Sequence, residues 1–98
     1  MPVYRVVLFR MKGDATEEQK LLFIRDAKKL REEIPGVLSL EVGPALDMHR
    51  TKGYDMGIVL QLETAAHLEK FASHPGHVRL HYMREAMCED SLAFNLEY

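Results

Sequence analysis

Val3-Tyr4-Arg5-Val6-Val7-Leu8-Phe9-Arg10-Met11, read as an extended chain, places Val3, Arg5, Val7, Phe9 and Met11 on one side and Tyr4, Val6, Leu8 and Arg10 on the other. Both sides are mostly apolar. A strand with one face in water carries polar residues on that face, so this strand is expected to be covered on both. The rest of the chain must supply the two covers.

Downstream, Thr16-Glu17-Glu18-Gln19 has the form of a capping box, whose hydroxyl and amide satisfy free backbone N–H groups at a helix start. In the helix that follows, Phe23, Ala27, Leu30 and Ile34 form one apolar stripe, with Lys20, Arg25, Lys28, Lys29, Glu32 and Glu33 on the solvated side. Pro35-Gly36 ends it, because the residue before a proline is pushed out of the helical region. Val37 to Val42 reads as a second strand, with Leu38, Leu40 and Val42 against Val37, Ser39 and Glu41, stopped by Gly43-Pro44. A polar loop, 45–52, leads to Gly53-Tyr54-Asp55, which opens a third strand with Tyr54, Met56, Ile58, Leu60 and Leu62 on one face. Thr64 is positioned to N-cap a short helix bearing Leu68, Phe71 and Ala72. His74-Pro75-Gly76-His77 interrupts that helix, and Pro75 suits the first turn of the next, which runs through Val78, Leu80, Tyr82, Met83 and Met87. Leu92, Phe94, Leu96 and Tyr98 then alternate with Ala93, Asn95 and Glu97 in a closing strand.

The order β-α-β-β-α(α)-β is the split β-α-β of a ferredoxin-like α+β domain, a four-stranded antiparallel sheet with all its helices on one face. The helices cover one side of the first strand. An identical sheet from a second chain is the expected cover for the other, giving a C2 homodimer that encloses a dimeric α/β barrel. No repeat, low-complexity tract or linker divides the chain, so residues 1–98 are read as a single domain.

Composition agrees with a small folded domain: 98 residues that are 47% hydrophobic and 29% charged are not a disordered segment. Thirteen basic against fifteen acidic residues give a net charge of −2, which supplies no field for nucleic acid or an anionic membrane. No apolar run approaches the roughly 20 residues of a membrane span. The N-terminus enters a strand pattern instead of a signal peptide, and the lone Cys88 suits a reducing compartment, so a soluble, cytoplasmic protein is expected. A domain this small buries only about 60 to 65% of its unfolded surface, and oligomerisation is the expected supplement.

Four segments, in this order and over nearly the whole chain, resemble the stress-responsive A/B barrel domain (Dabb) family: a strand ending in Val7-Leu8-Phe9, then Ile34-Pro35-Gly36-Val37, Gly53-Tyr54-Asp55 and His74-Pro75-Gly76-His77. The resemblance implies a dimeric α+β barrel. By analogy with the family's polyketide cyclases, which close an aldol without a cofactor, it implies that His77, the second histidine of the HPxH motif, is the catalytic base. The tyrosine that assists it in the cyclases corresponds to Phe71. Their pocket histidine on the first strand corresponds to Arg5, the one after Gly53-Tyr54 to Met56, and a pocket tyrosine on the first helix to Ala27. Neither a metal nor any other cofactor is implied.

The residues have readings of their own. A histidine just inside a helix N-terminus feels the positive end of the macrodipole, which keeps the imidazole neutral as a general base requires; alternatively His77 hydrogen-bonds a neighbouring carbonyl to fix the turn. His74 belongs at the N-cap. His77 and His81 are spaced for a shared metal on one helical face, and His49 and His67 read as surface residues. Arg5 cannot discard its proton, so it either meets an anion in a pocket, pairs with a carboxylate at the sheet edge, or reaches solvent. Val7, Phe9, Phe23, Ile24, Ala27, Leu40, Met56, Ile58, Phe71 and Leu80 are the expected lining of a substrate pocket between sheet and helices, each with core packing as its plainer role. The expected ligand is an apolar or aromatic, carbonyl-bearing small molecule, anionic where it meets Arg5. Two functions follow: a cofactor-free cyclase, isomerase or lyase, or a non-catalytic, stress-associated structural or ligand-carrying barrel.

Overall fold

A computed structural model describes residues 1–98. Its elements are β1 (Val3–Met11), α1 (Glu17–Glu33), β2 (Val37–Pro44), β3 (Met56–Leu62), α2 (His67–Ser73), α3 (Pro75–Met87) and β4 (Cys88–Glu97). The four strands form one antiparallel sheet in the order β2-β3-β1-β4, the ferredoxin-like arrangement. The capping box is present: Thr16 Oγ1 accepts from the Gln19 backbone N–H, and the Gln19 side chain accepts from the Thr16 N–H. The predicted stripe of α1, Phe23, Ala27, Leu30 and Ile34, is buried, and the helix packs on β2 and α3.

The core is a single cluster between helices and sheet, built from Val3, Phe9 and Met11 of β1, Leu40 of β2, Met56, Ile58, Leu60 and Leu62 of β3, and the buried faces of the helices. The opposite face has no helix over it. There Tyr4, Val59, Leu92, Phe94 and Leu96 stand 37 to 58% exposed, so the apolar second face of β1 belongs to an apolar surface extending over β3 and β4.

Several local expectations are corrected. A bulge between Val37 and Ser39 adds a residue to β2 and turns its two-residue period over at that point. Val37 therefore faces the core opposite Leu62, while Leu38, expected inside, is 51% exposed. β2 does end at Gly43-Pro44, but both residues belong to the strand, because β2 is an edge strand and tolerates a proline without a ladder donor. Tyr54 lies outside β3, its hydroxyl donating to Asp90 at 2.9 Å, while the Asp55 carboxylate accepts from the Met11 backbone N–H at 3.0 Å. Thr64 does not cap α2; its hydroxyl bonds the His67 ring at 2.8 Å. His67 is accordingly not a surface residue. Its ring lies over Gly36, where a Cβ would come within 2.2 Å of His67 Cδ2 and where φ is +89°, so this turn requires glycine on two counts.

Candidate functional site

The HPxH segment is the hinge between two helices, and each of its residues has a distinct local task. The His74 backbone closes α2, and its Nδ1 accepts from the Gly76 N–H at 3.0 Å, making it the N-cap of α3. Pro75 occupies the first turn, where a missing N–H costs nothing. Gly76 is buried against α1: a Cβ there would fall 2.8 Å from Glu33 Oε2 and 2.9 Å from Leu30 Cδ2. His77 is thereby carried to the inner side of α3, its ring 4.9 Å from that of Phe71.

A cavity of about 220 Å³ opens between α2, α3 and the helix-facing side of β1, β3 and β4. Of the expected site residues, His77 and Arg5 line it together with Val7, Phe9, Phe23, Ile58, Phe71 and Leu80. Ile24, Ala27, Leu40 and Met56 do not. Ala27 and Leu40 are fully enclosed in the core, Ile24 packs against that core beside them, and Met56 lies toward a separate groove of about 640 Å³ at the loop before β3. The small side chain at position 27 therefore opens no space toward the cavity. Leu60, His81, Arg84, Ser91 and Ala93 complete the wall and were not among the expected lining residues. A signal for them exists. His81 and Arg84 follow His77 by four and seven residues and so share its helical face, while Ser91 and Ala93 alternate with the apolar residues of β4 and so face the helices.

His77 Nδ1 lies 3.0 Å from the carbonyl oxygen of Ala72. A carbonyl only accepts, so Nδ1 donates and Nε2 keeps its lone pair. Burial lowers the His77 pKa below the ordinary histidine value; the Ala72 hydrogen bond opposes this, and Arg5, His81 and Arg84 reinforce it. The carbonyl contact and the cavity position thus coexist. Arg5 makes no carboxylate pair. Its Nη1 donates to the Asn95 side-chain oxygen at 2.9 Å, and burial lowers its pKa. Arg84 donates from Nη1 to Ser91 Oγ at 2.6 Å and from Nη2 to His81 Nδ1 at 2.8 Å. The His81 proton is then on Nε2, which faces Glu85 at 3.1 Å. With His81 Nδ1 engaged by Arg84, the shared-metal geometry for His77 and His81 is not formed, and no three His, Cys, Asp or Glu side chains are grouped to hold a metal ion.

The chamber wall thus combines an imidazole whose Nε2 can accept a proton, a mostly apolar lining, and two guanidiniums anchored on β4. The profile of the stress responsive A/B barrel domain family matches residues 3–98. A dimeric ferredoxin-like protein of unknown function from Jannaschia sp. CCS1 is similar over 100% of both chains, with 24% identity and a TM-score of 0.86. One from Thermobifida fusca YX, also dimeric and of unknown function, has 23% identity and a TM-score of 0.88, covering 100% of this chain and 92% of that one. The hydroxynitrile lyase from Passiflora edulis has 19% identity and a TM-score of 0.85, with 97% and 91% of the two chains covered. No curated protein sequence matches the chain. No helix is long and apolar enough to cross a membrane.

Proposed function

The chain belongs to the stress responsive A/B barrel domain family, and from that premise we propose that it is a cofactor-free enzyme of small molecules in which His77 acts as general base. The observation that carries this reading is the Ala72 carbonyl on His77 Nδ1, which leaves the Nε2 lone pair free on a side chain that lines the cavity. A base must be unprotonated at working pH, and burial pushes this imidazole in that direction. In the proposed step Nε2 takes a proton from a carbon next to a carbonyl. The C–H electron pair becomes the C=C bond of an enolate, and the carbonyl π pair moves to oxygen. That enolate is the common branch point for an aldol closure of polyketide-cyclase type, an isomerisation or a C–C cleavage. Arg5, cationic and unpaired with any carboxylate, is suited to hold the negative charge that develops. A lyase of similar fold supports catalysis on this scaffold.

A homodimer through the open sheet face is part of the reading, supported by the exposed Val59, Leu92, Phe94 and Leu96 and by the dimeric neighbours. The second reading, a ligand carrier, is favoured by Phe71, which sets an apolar ring against His77 where the cyclases have a phenol. Hydrogen–deuterium exchange in D2O separates the two. With phenylacetone and phenylpyruvate as probes, the protein should accelerate exchange at the carbon next to the ketone, and His77→Gln should reduce that acceleration by about 10² to 10⁴-fold. Ligand binding without accelerated exchange would rule the enzyme out in favour of the carrier, and full exchange by a folded His77→Gln variant would remove His77 as the base.

A further inference from the structure

We propose that the cavity seats a carboxylate between Arg5 and Arg84, above Ala93, and that its ligand is a monoanion of one aromatic ring with a short acidic arm. The inference rests on the cavity being the functional site, and it adds the chemical class of ligand. Ser91, Ala93 and Asn95 share the helix-facing side of β4, opposite Phe9, Val7 and Arg5 of β1. Arg84 is anchored on Ser91 and Arg5 on Asn95, so the two guanidiniums are held to either side of Ala93. The alanine methyl does not fill the space between them.

Both cations have donors to spare. A guanidinium carries five N–H groups; Arg5 commits one to a neutral amide oxygen, and its environment contributes desolvation without a balancing carboxylate. Arg84 is steadied by His81 and has Glu85 at 3.6 Å, but that carboxylate is 62% exposed and also receives the His81 Nε2–H. Two guanidiniums against one carboxylate at the rim leave a single positive charge, which matches a monoanion. A half-buried cation without a counter-ion is costly, and a carboxylate ligand removes that cost while accepting the paired N–H geometry arginine offers.

Apart from His77 and His81, the remainder of the wall is apolar, with Phe9, Phe23, Ile58, Leu60, Phe71 and Leu80 its largest side chains. An apolar cavity on the order of 150 Å³ holds one benzene, and sites for drug-sized ligands begin near 300 Å³. At about 220 Å³ this chamber takes a ring and a short arm. Aryl acetates and aryl keto acids have that shape, and the keto acids also carry the C–H acid that the proposed base requires.

Calorimetric titration with phenylacetate and its neutral isostere phenylacetamide tests the seat. Phenylacetate should bind about tenfold or more tightly, as expected when a hydrogen bond to a charged group replaces one to a neutral group. The preference should disappear in Arg84→Gln, return in part in Arg84→Lys, and weaken with added salt. Ala93→Leu, which fills the space without changing charge, should weaken phenylacetate most. Equal affinity for the two probes, no saturable phenylacetate binding, or an undiminished preference in Arg84→Gln overturns the inference. Anion preference without exchange catalysis leaves the seat standing and removes the enzyme; exchange catalysis on phenylacetone without anion preference does the reverse.

Discussion

His77 Nδ1 and the carbonyl oxygen of Ala72 are 3.0 Å apart across the junction where α2 ends and α3 begins. The bond spans five residues, ties the end of one helix to the first turn of the next, and selects the imidazole tautomer. A contact that serves folding is therefore also what leaves Nε2 available for chemistry.

The pH dependence of His77 follows from its burial. With its pKa below the usual value of about 6.5, the basic form persists into mildly acidic solution, and exchange catalysis should fall only on the acid side of that value. Between the folded and unfolded pKa values the unfolded chain binds more protons, so the contribution is fully present above about pH 6.5 and is lost as pH falls through the folded value. An NMR titration of the His77 Cε1–H should show a midpoint below 6.5. Denaturant melts should lose less stability between pH 7.5 and pH 5.5 in His77→Gln than in the parent; a midpoint at or above 6.5 contradicts the assignment.

Gly36→Ala should be strongly destabilising. A φ of +89° costs a β-carbon about 1 to 2 kcal/mol, and the added methyl meets the His67 ring at 2.2 Å, where overpacking adds about 1 to 3 kcal/mol. The ring is held by Thr64 and cannot swing away freely. Denaturant melts at fixed protomer concentration measure the loss. Adding His67→Ala should recover the packing part and leave the backbone part, and a double-mutant cycle showing no coupling would remove His67 from the explanation.

Phe94→Asp tests the open face. Phe94 is 58% exposed in the single chain, so a charge there costs a monomer little but is buried unpaired in a dimer formed through this sheet. Light scattering should report twice the chain mass for the parent and a shift toward one chain mass for the variant. A parent that is monomeric at micromolar concentration would leave the apolar face without its proposed cover.

Cys88 should be slow toward thiol reagents. Burial is the largest influence raising its pKa, to about 11, and its Sγ lies 3.6 Å from Met11 Sδ. At pH 8 little thiolate exists to react. Ellman's reagent should label the folded protein much more slowly than the protein in denaturant, and equal rates would show that the thiol is not protected.

Local chemistry made much of the fold legible. The Thr16–Gln19 box, the Pro35-Gly36 stop, the N-cap at His74 and the stripe from Phe23 to Ile34 each depend on residues close together in sequence, whose side chains meet by helical or strand periodicity whatever surrounds them. The same holds for the two apolar sides of β1, one now in the core and the other on the open face. The outward position of Leu38 is not legible in sequence, because a bulge is set by pairing with a neighbouring strand and leaves no mark in the alternation itself. Nor is the cover of His67, because the glycine beneath it lies 31 residues away in sequence. The candidate site divides in the same way. The sequence alone determined that His77 begins a helix and that Arg5 lies on a strand side shared with Val7 and Phe9. Only the tertiary structure decided that these side chains share a chamber with Arg84 and Ala93, and that Ala27, Leu40, Ile24 and Met56 do not line it. Periodicity orients a side chain about its own element; which faces meet, and how completely they fill the space between them, depends on the packing of all the elements together.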